Sequence, residues 1–188
     1  LQTVLDRSPH ARAHYNLGVI LHDAGRREEA LREYQIAAPE LPEVEYAVGF
    51  DLFEQKQYGE AATRLRRYIE LRPEDANVVR AWVLLGRTLA ADAAADPAID
   101  AYRRALQMQP RNIDALGGLA DTLLHQDRLA EAVATYQEYV RLAPTNASVF
   151  FNLGLVLGRL NRDEEAVTAF SRAVALSPTT GLSWLVCS

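Results

Sequence analysis

The sequence predicts an all-α fold, an α-solenoid of antiparallel helix pairs stacked in chain order. Three observations predict it. Prolines that precede a fresh apolar pattern stand at Pro9, Pro42, Pro73, Pro110, Pro144 and Pro178, at spacings of 33, 31, 37, 34 and 34 residues. One half-unit recurs: HYNLGVIL from His14, EYAVGFDL from Glu45, WVLLGRTL from Trp82, LGGLADTL from Leu116 and FNLGLVLG from Phe151. A second half-unit follows each: EEALREYQIA from Glu28, GEAATRLRRY from Gly59, PAIDAYRRAL from Pro97, AEAVATYQEY from Ala130 and EEAVTAFSRA from Glu164. Self-similarity at such a period is the mark of a repeat array, in which each unit packs on its neighbours.

Both halves read as amphipathic helices, with apolar residues at i, i+3, i+4 and i+7. Five repeats are expected at 11–41, 42–78, 79–112, 113–146 and 147–180. Residues 1–10 read as the end of a preceding helix, and 181–188 as the start of a following one, with Trp184 in its fourth position. Both ends would leave apolar surface uncapped, so the chain reads as a piece of a longer array.

Within each repeat a large residue falls fourth (His14, Glu45, Trp82, Leu116, Phe150) and a small one eighth (Gly18, Gly49, Gly86, Ala120, Gly154). A second small residue falls twentieth (Ala30, Ala61, Ala98, Ala132, Ala166), and a ring or Leu65 falls twenty-fourth (Tyr34, Leu65, Tyr102, Tyr136, Phe170). Ala37, Tyr68, Ala105, Tyr139 and Ala173 fall twenty-seventh. This pattern resembles the tetratricopeptide repeat along nearly the whole chain. The resemblance implies a right-handed superhelix whose first helices line a concave, protein-binding surface.

Taken in order, repeat 1 turns at Gly25, a residue suited to a left-handed helix end. Repeat 2 departs most, with Glu45 at the large position and Leu65 with Tyr68 in its second half. The junction before it is short by three residues and the one after it long by three, so an irregular turn is expected there. Repeat 3 starts its second helix at Pro97, where a missing N–H costs nothing, after a glycine-free turn expected to be longer. Repeat 4 turns at Asp127 and carries Gly117-Gly118 inside its first helix. That pair reads as a tolerated soft spot, or as space for a ligand or a bend. Repeat 5 turns at Asn161. Small residues at positions eight and twenty let two backbones approach, and the ring at twenty-four fills the space beside them.

At about 100° per residue, positions 4, 7, 8 and 11 of each first helix share one face, and positions 2, 5, 9, 12 and 13 another. In repeats resembling these the second face lines the groove. Candidate peptide-binding residues are Tyr15, Asn16, Val19 and His22 in repeat 1, and Tyr46, Phe50 and Phe53 in repeat 2. Arg80 and Arg87 follow in repeat 3, Asp121 in repeat 4, and Phe151 and Arg159 in repeat 5. The rings Tyr15, Tyr46, Phe50 and Phe53 form either an apolar patch of the kind that marks binding sites or packing under the repeat 1–2 junction. Arg80 and Arg87 are suited to a ligand carboxylate. The family's carboxylate clamp of lysine and asparagine is not expected, because position six holds asparagine only at Asn16 and Asn152 with no lysine near.

The remaining chemistry is sparse. Lys and Arg number 20 against 25 acidic residues, a net charge of −5, which supplies no basic face for nucleic acid or an anionic membrane. No apolar run approaches the ~18–20 residues of a membrane span. The lone Cys187 forms no internal disulfide, and the composition fits any compartment, with the cytoplasm slightly favoured. His10 and His14 are spaced i, i+4 but lack a third ligand, so neither metal nor cofactor is expected. There is no phosphate loop or nucleophile elbow, and the chain is not expected to be an enzyme. Asn146-Ala147-Ser148 matches a glycosylation acceptor, a pattern short enough to arise by chance. The leading reading is a non-catalytic scaffold that binds a protein or peptide segment in its groove. The alternatives are a docking region of a larger enzyme, such as a glycosyl- or sulfo-transferase, and self-assembly through open repeat ends.

Overall fold

The computed structural model describes residues 9–177, and among them there are ten helices and no strand. They are α1 (Pro9–Asp23), α2 (Arg27–Ala37), α3 (Glu43–Glu54), α4 (Tyr58–Leu71), α5 (Val78–Ala91), α6 (Ala95–Met108), α7 (Ile113–His125), α8 (Leu129–Leu142), α9 (Ala147–Arg159) and α10 (Asp163–Leu176). Of the helix end expected at 1–10, Pro9 and His10 instead open α1, while residues 1–8, Pro178, the helix start expected at 181–188 with Trp184, and Cys187 lie outside the described residues.

The helices form two compact units, divided between Ala94 and Ala95. In the N-terminal unit α1 packs on α2, α2 on α3, α3 on α4, and α4 on α5. In the C-terminal unit α6 packs on α7, α7 on α8, α8 on α9, and α9 on α10. Each unit is thus a run of helices packed on their sequence neighbours, the arrangement of a helical solenoid.

Small residues set the spacing of the hairpins. A Cβ added at Gly18 would lie 2.5 Å from the Tyr34 ring, at Gly49 2.9 Å from Leu65, and at Gly154 2.8 Å from Phe170. In all three the residue at position twenty-four presses on the glycine at position eight. Ala30, Ala61, Ala98 and Ala132 are fully buried between helices. Tyr68, Tyr102 and Tyr136 are among the largest fully buried side chains, so rings supply the bulk that the alanines omit.

The helix ends follow one scheme. Gly25, Lys56, Ala93, Asp127 and Asn161 all take a left-handed φ of 58–75°. The amide of the next residue then donates to a carbonyl five residues back: Arg26 to Leu21, Gln57 to Leu52, Ala94 to Leu89, Arg128 to Leu123 and Arg162 to Leu157, at 2.8–3.0 Å. This is the Schellman closure, which satisfies the orphaned carbonyls of the preceding helix. The glycine-free turn at Ala93 is therefore no longer than the others, correcting the expectation of a longer one. Alanine simply takes the strained φ. The first helices α7 and α9 open on Asn112 and Asn146, whose Oδ1 atoms accept from the amides of Ala115 and Val149.

Repeat 2 has a physical explanation. Helix α2 has 11 residues where α4, α6, α8 and α10 have 14, so about one helical turn is missing before α3. The connection from Arg72 to Asn77 is correspondingly longer than the connections before α7 and α9. Glu45, at the large position, is buried, and both its oxygens lie 3.2 Å from guanidinium nitrogens of Arg64 and Arg67 on α4. The two arginines remain half-solvated and keep the carboxylate paired.

Gly117-Gly118 has a packing role, and Gly118 leaves no room for a ligand. A Cβ at Gly118 would lie 2.3 Å from Cζ of the buried Tyr102 ring, and one at Gly117 3.2 Å from the Tyr139 ring. The phenol of α6 occupies the space that the missing Cβ leaves.

Candidate functional site

The expected face of the N-terminal unit is carried by α1, α3 and α5. Its rings are half-buried, each leaning on a second ring. Tyr15 lies 6.0 Å from Tyr34, Tyr46 lies 5.5 Å from Tyr68, and Phe53 lies 5.9 Å from Tyr58. The Phe50 ring meets the His22 imidazole at 5.8 Å in an edge-on contact. Val19 packs partly into the core of buried residues, whereas Asn16 is exposed. The four rings are therefore neither fully sunk under the repeat 1–2 junction nor free of it. One side of each ring supports the core and the other stays accessible.

Cations border these rings. The Arg87 guanidinium lies 5.1 Å over the Phe53 ring, and that of Arg12 lies 5.9 Å over Tyr15. Arg80 and Arg87 stand two turns apart on α5, both exposed, and among the described residues neither has a carboxylate partner. Most other arginines of this acidic chain are paired. Arg26 with Glu29, Arg128 with Glu131, Arg141 with Glu138 and Arg162 with Glu165 form i, i+3 pairs.

Below Tyr15 the carboxylate of Glu43 joins two elements. It meets Arg72 of the α4–α5 connection at 2.5 Å and Arg12 of α1 at 3.9 Å. Burial, with the Glu43 charge beside it, pushes the Tyr15 phenol up from its ordinary value. Tyr15 is a neutral donor at any physiological pH.

At the far end of the same face His22 sits between two carboxylates. Its Nε2 lies 2.9 Å from Oδ1 of Asp51 and its Nδ1 lies 3.2 Å from Oδ1 of Asp23. The contact to Asp51 meets the distance of an ion pair but not the alignment of a hydrogen bond, and Asp51 accepts no hydrogen bond among the described residues. Sequence reasoning passed over Asp51 because position ten belongs to neither face. The signal was an aspartate inside the otherwise apolar run AVGFDLF.

In the C-terminal unit the expected residues are already engaged. Asp121 accepts from the Tyr136 hydroxyl and, at 3.2 Å, from the Asn152 side-chain amide. Burial, then the bond to Asp121, raises the Tyr136 phenol. Phe151 stacks edge-on against Phe170 at 5.6 Å, and Arg159 reaches Asp127 at 2.5 Å. Asn146 spends its amide nitrogen on the Tyr139 hydroxyl at 2.9 Å and its oxygen on the helix cap. Its place in a glycosylation pattern thus coincides with a structural role. A separate cleft of about 380 Å³ opens between α8, α9 and α10, floored by Phe150, Leu153 and Leu157 and edged by Gln137, Thr168 and Arg172.

His14 holds Glu33 at 2.5 Å, so the His10–His14 pair turns toward a carboxylate of α2. Among the described residues no three metal-ligating side chains come together, and no helix is long and apolar enough to cross a membrane.

The hairpin with a ring on a small residue, closed by a Schellman turn and stacked on its neighbour, is what sequence comparison also finds. One model of the tetratricopeptide repeat matches residues 1–44, 49–113 and 95–147, and a second matches 147–180. The chain belongs to the tetratricopeptide repeat family. Solved structures of tetratricopeptide repeat type share the fold. MamA from Desulfovibrio magneticus RS-1 is 21% identical, with a TM-score of 0.84 over 93% of this chain and 99% of that one. A double mutant of RS-1 MamA is 22% identical, with a TM-score of 0.85 over 93% and 98%. YrrB, described as a TPR protein with an unusual peptide-binding site, is 20% identical, with a TM-score of 0.78 over 92% and 89%. At these identities the likeness is one of fold. No curated protein matches the chain in sequence.

Proposed function

We propose that this tetratricopeptide repeat chain is a non-catalytic scaffold that grips a segment of another protein on the second face of its first helices. The ligand is an extended or helical segment with apolar side chains and an acidic group. The observation that carries the reading is on α3 and α5: the Arg87 guanidinium lies over half-buried Phe53, one turn from Phe50, and among the described residues neither Arg87 nor Arg80, two turns before it, has a carboxylate partner in a chain of net charge −5. Rings supply buried apolar area at small entropic cost, and a guanidinium adds orientation by pairing with a carboxylate. The peptide-binding site ascribed to YrrB supports a binding role for this architecture. In the C-terminal unit Asp121 and Arg159 are held by intramolecular partners, which favours the N-terminal unit as the main grip.

The test is fluorescence anisotropy with two synthetic peptide pools, alike in leucine and phenylalanine but carrying glutamate or lysine. The acidic pool binds the wild-type chain and the basic pool does not. Phe50→Ala and Arg87→Glu each weaken binding by about tenfold or more, the loss of one anchor contact. Equal binding of both pools, or unchanged affinity in both variants, rejects this face.

A further inference from the structure

Helix α3 buries a carboxylate that packing does not require. The Asp51 side chain is 1% exposed and accepts no hydrogen bond among the described residues. A buried ionised carboxylate is tolerated only with a cation beside it or with a proton of its own. The group at contact distance is His22 of α1, a cation only when protonated, with Nε2 at 2.9 Å. Its other nitrogen faces Asp23 at 3.2 Å. With carboxylate oxygens at both ring nitrogens, only a ring carrying two protons presents an N–H to each. The other charges around Asp51 are Arg27 of α2, itself 3.9 Å from Glu54, and Glu54 on its own helix. The Tyr34 hydroxyl of α2 also feels the Asp51 charge. Burial pushes the Asp51 carboxyl up, against the pull of His22 and Arg27.

We propose that His22 and Asp51 form a proton-dependent fastener between α1 and α3, which together hold one proton in the folded chain. Whether that proton sits on the ring or on the carboxyl, the pair titrates as a unit. Unfolding separates the two groups, and the free histidine then gives up its proton above its ordinary value of about 6.5. The stabilisation is therefore present below that value and is lost as pH rises until the folded pair itself deprotonates. The pair adjoins the candidate binding face, where the Phe50 ring rests on His22 at 5.8 Å. The fastener stands whether or not a peptide occupies that face.

The test is the thermal unfolding midpoint of the whole chain, followed by circular dichroism from about pH 6 to about pH 8, where histidine ordinarily changes charge. The variants are Asp51→Asn, which cannot titrate, and His22→Gln, which removes the imidazole and leaves the carboxyl without its partner. Every titratable group outside the pair is common to all three proteins, so the differences isolate the pair. Relative to each variant, the wild-type midpoint falls by about 2–4 °C across this range, which in a chain of this size corresponds to about a fivefold change in the folding equilibrium. Either variant that folds suffices for the comparison. Midpoints that run parallel to the wild type across the range overturn the proposal. So does a wild-type midpoint that does not fall.

Discussion

Tyr102 of α6 lies so close to Gly118 of α7 that a Cβ at position 118 would sit 2.3 Å from the ring carbon Cζ and 2.5 Å from the hydroxyl oxygen. The ring is buried, so moving it aside would disturb the side chains packed around it. Ordinarily alanine favours a helix interior over glycine by about 1 kcal/mol. Here overpacking costs about 1–3 kcal/mol and decides the sign. Gly118→Ala is expected to lower the urea-unfolding midpoint. At Gly158 of α9 a Cβ would meet nothing within 4 Å, so Gly158→Ala is expected to raise it. A gain at position 118 would show that the ring can retreat.

Ala93 closes α5 with φ at 58°, the task that Gly25 performs for α1 with φ at 75°. A Cβ in this region costs about 1–2 kcal/mol, partly offset by the extra freedom that glycine gives the unfolded chain. Ala93→Gly is expected to stabilise the chain by up to about 1 kcal/mol, and Gly25→Ala to destabilise it by a similar amount. Chemical denaturation of both variants checks the pair. The same sign for both would exclude φ as the cause.

Asp75 accepts the Asn77 amide and the Tyr68 hydroxyl, each at 2.8 Å, in the long connection between α4 and α5. The backbone bond from Asn77 holds its carboxyl below the ordinary carboxylate value, and the phenol adds to this. A depressed carboxylate stabilises the fold above the ordinary value of about 4 and loses that contribution as pH falls through the folded value. Asp75→Ala is expected to cost about 1 kcal/mol at neutral pH, allowing for solvent screening. The difference from wild type should close on acidification below about pH 4. A difference that persists in acid would trace the loss to packing instead.

The repeat pattern alone determined the helical hairpins. A small residue at position eight faces a bulky one at twenty-four wherever two backbones must approach, as Gly18 with Tyr34 and Gly154 with Phe170 show. Left-handed ends at Gly25, Asp127 and Asn161 were equally legible, because those residue types tolerate positive φ. Lys56 and Ala93 do the same work without a sequence signal, since the closing hydrogen bond imposes φ on whatever residue stands there. Helical periodicity also placed Tyr15, Tyr46, Phe50, Phe53, Arg80 and Arg87 on one set of helix faces. It did not show that Tyr15, Tyr46 and Phe53 lean on second-helix rings, that Arg159 is taken by Asp127, or that Gly118 makes room for Tyr102. Nor did it bring Asp51 to His22, 29 residues apart in the chain. Periodicity reports which way a side chain leaves its own helix. What it meets there depends on the neighbouring helix, and only the packed structure decides that.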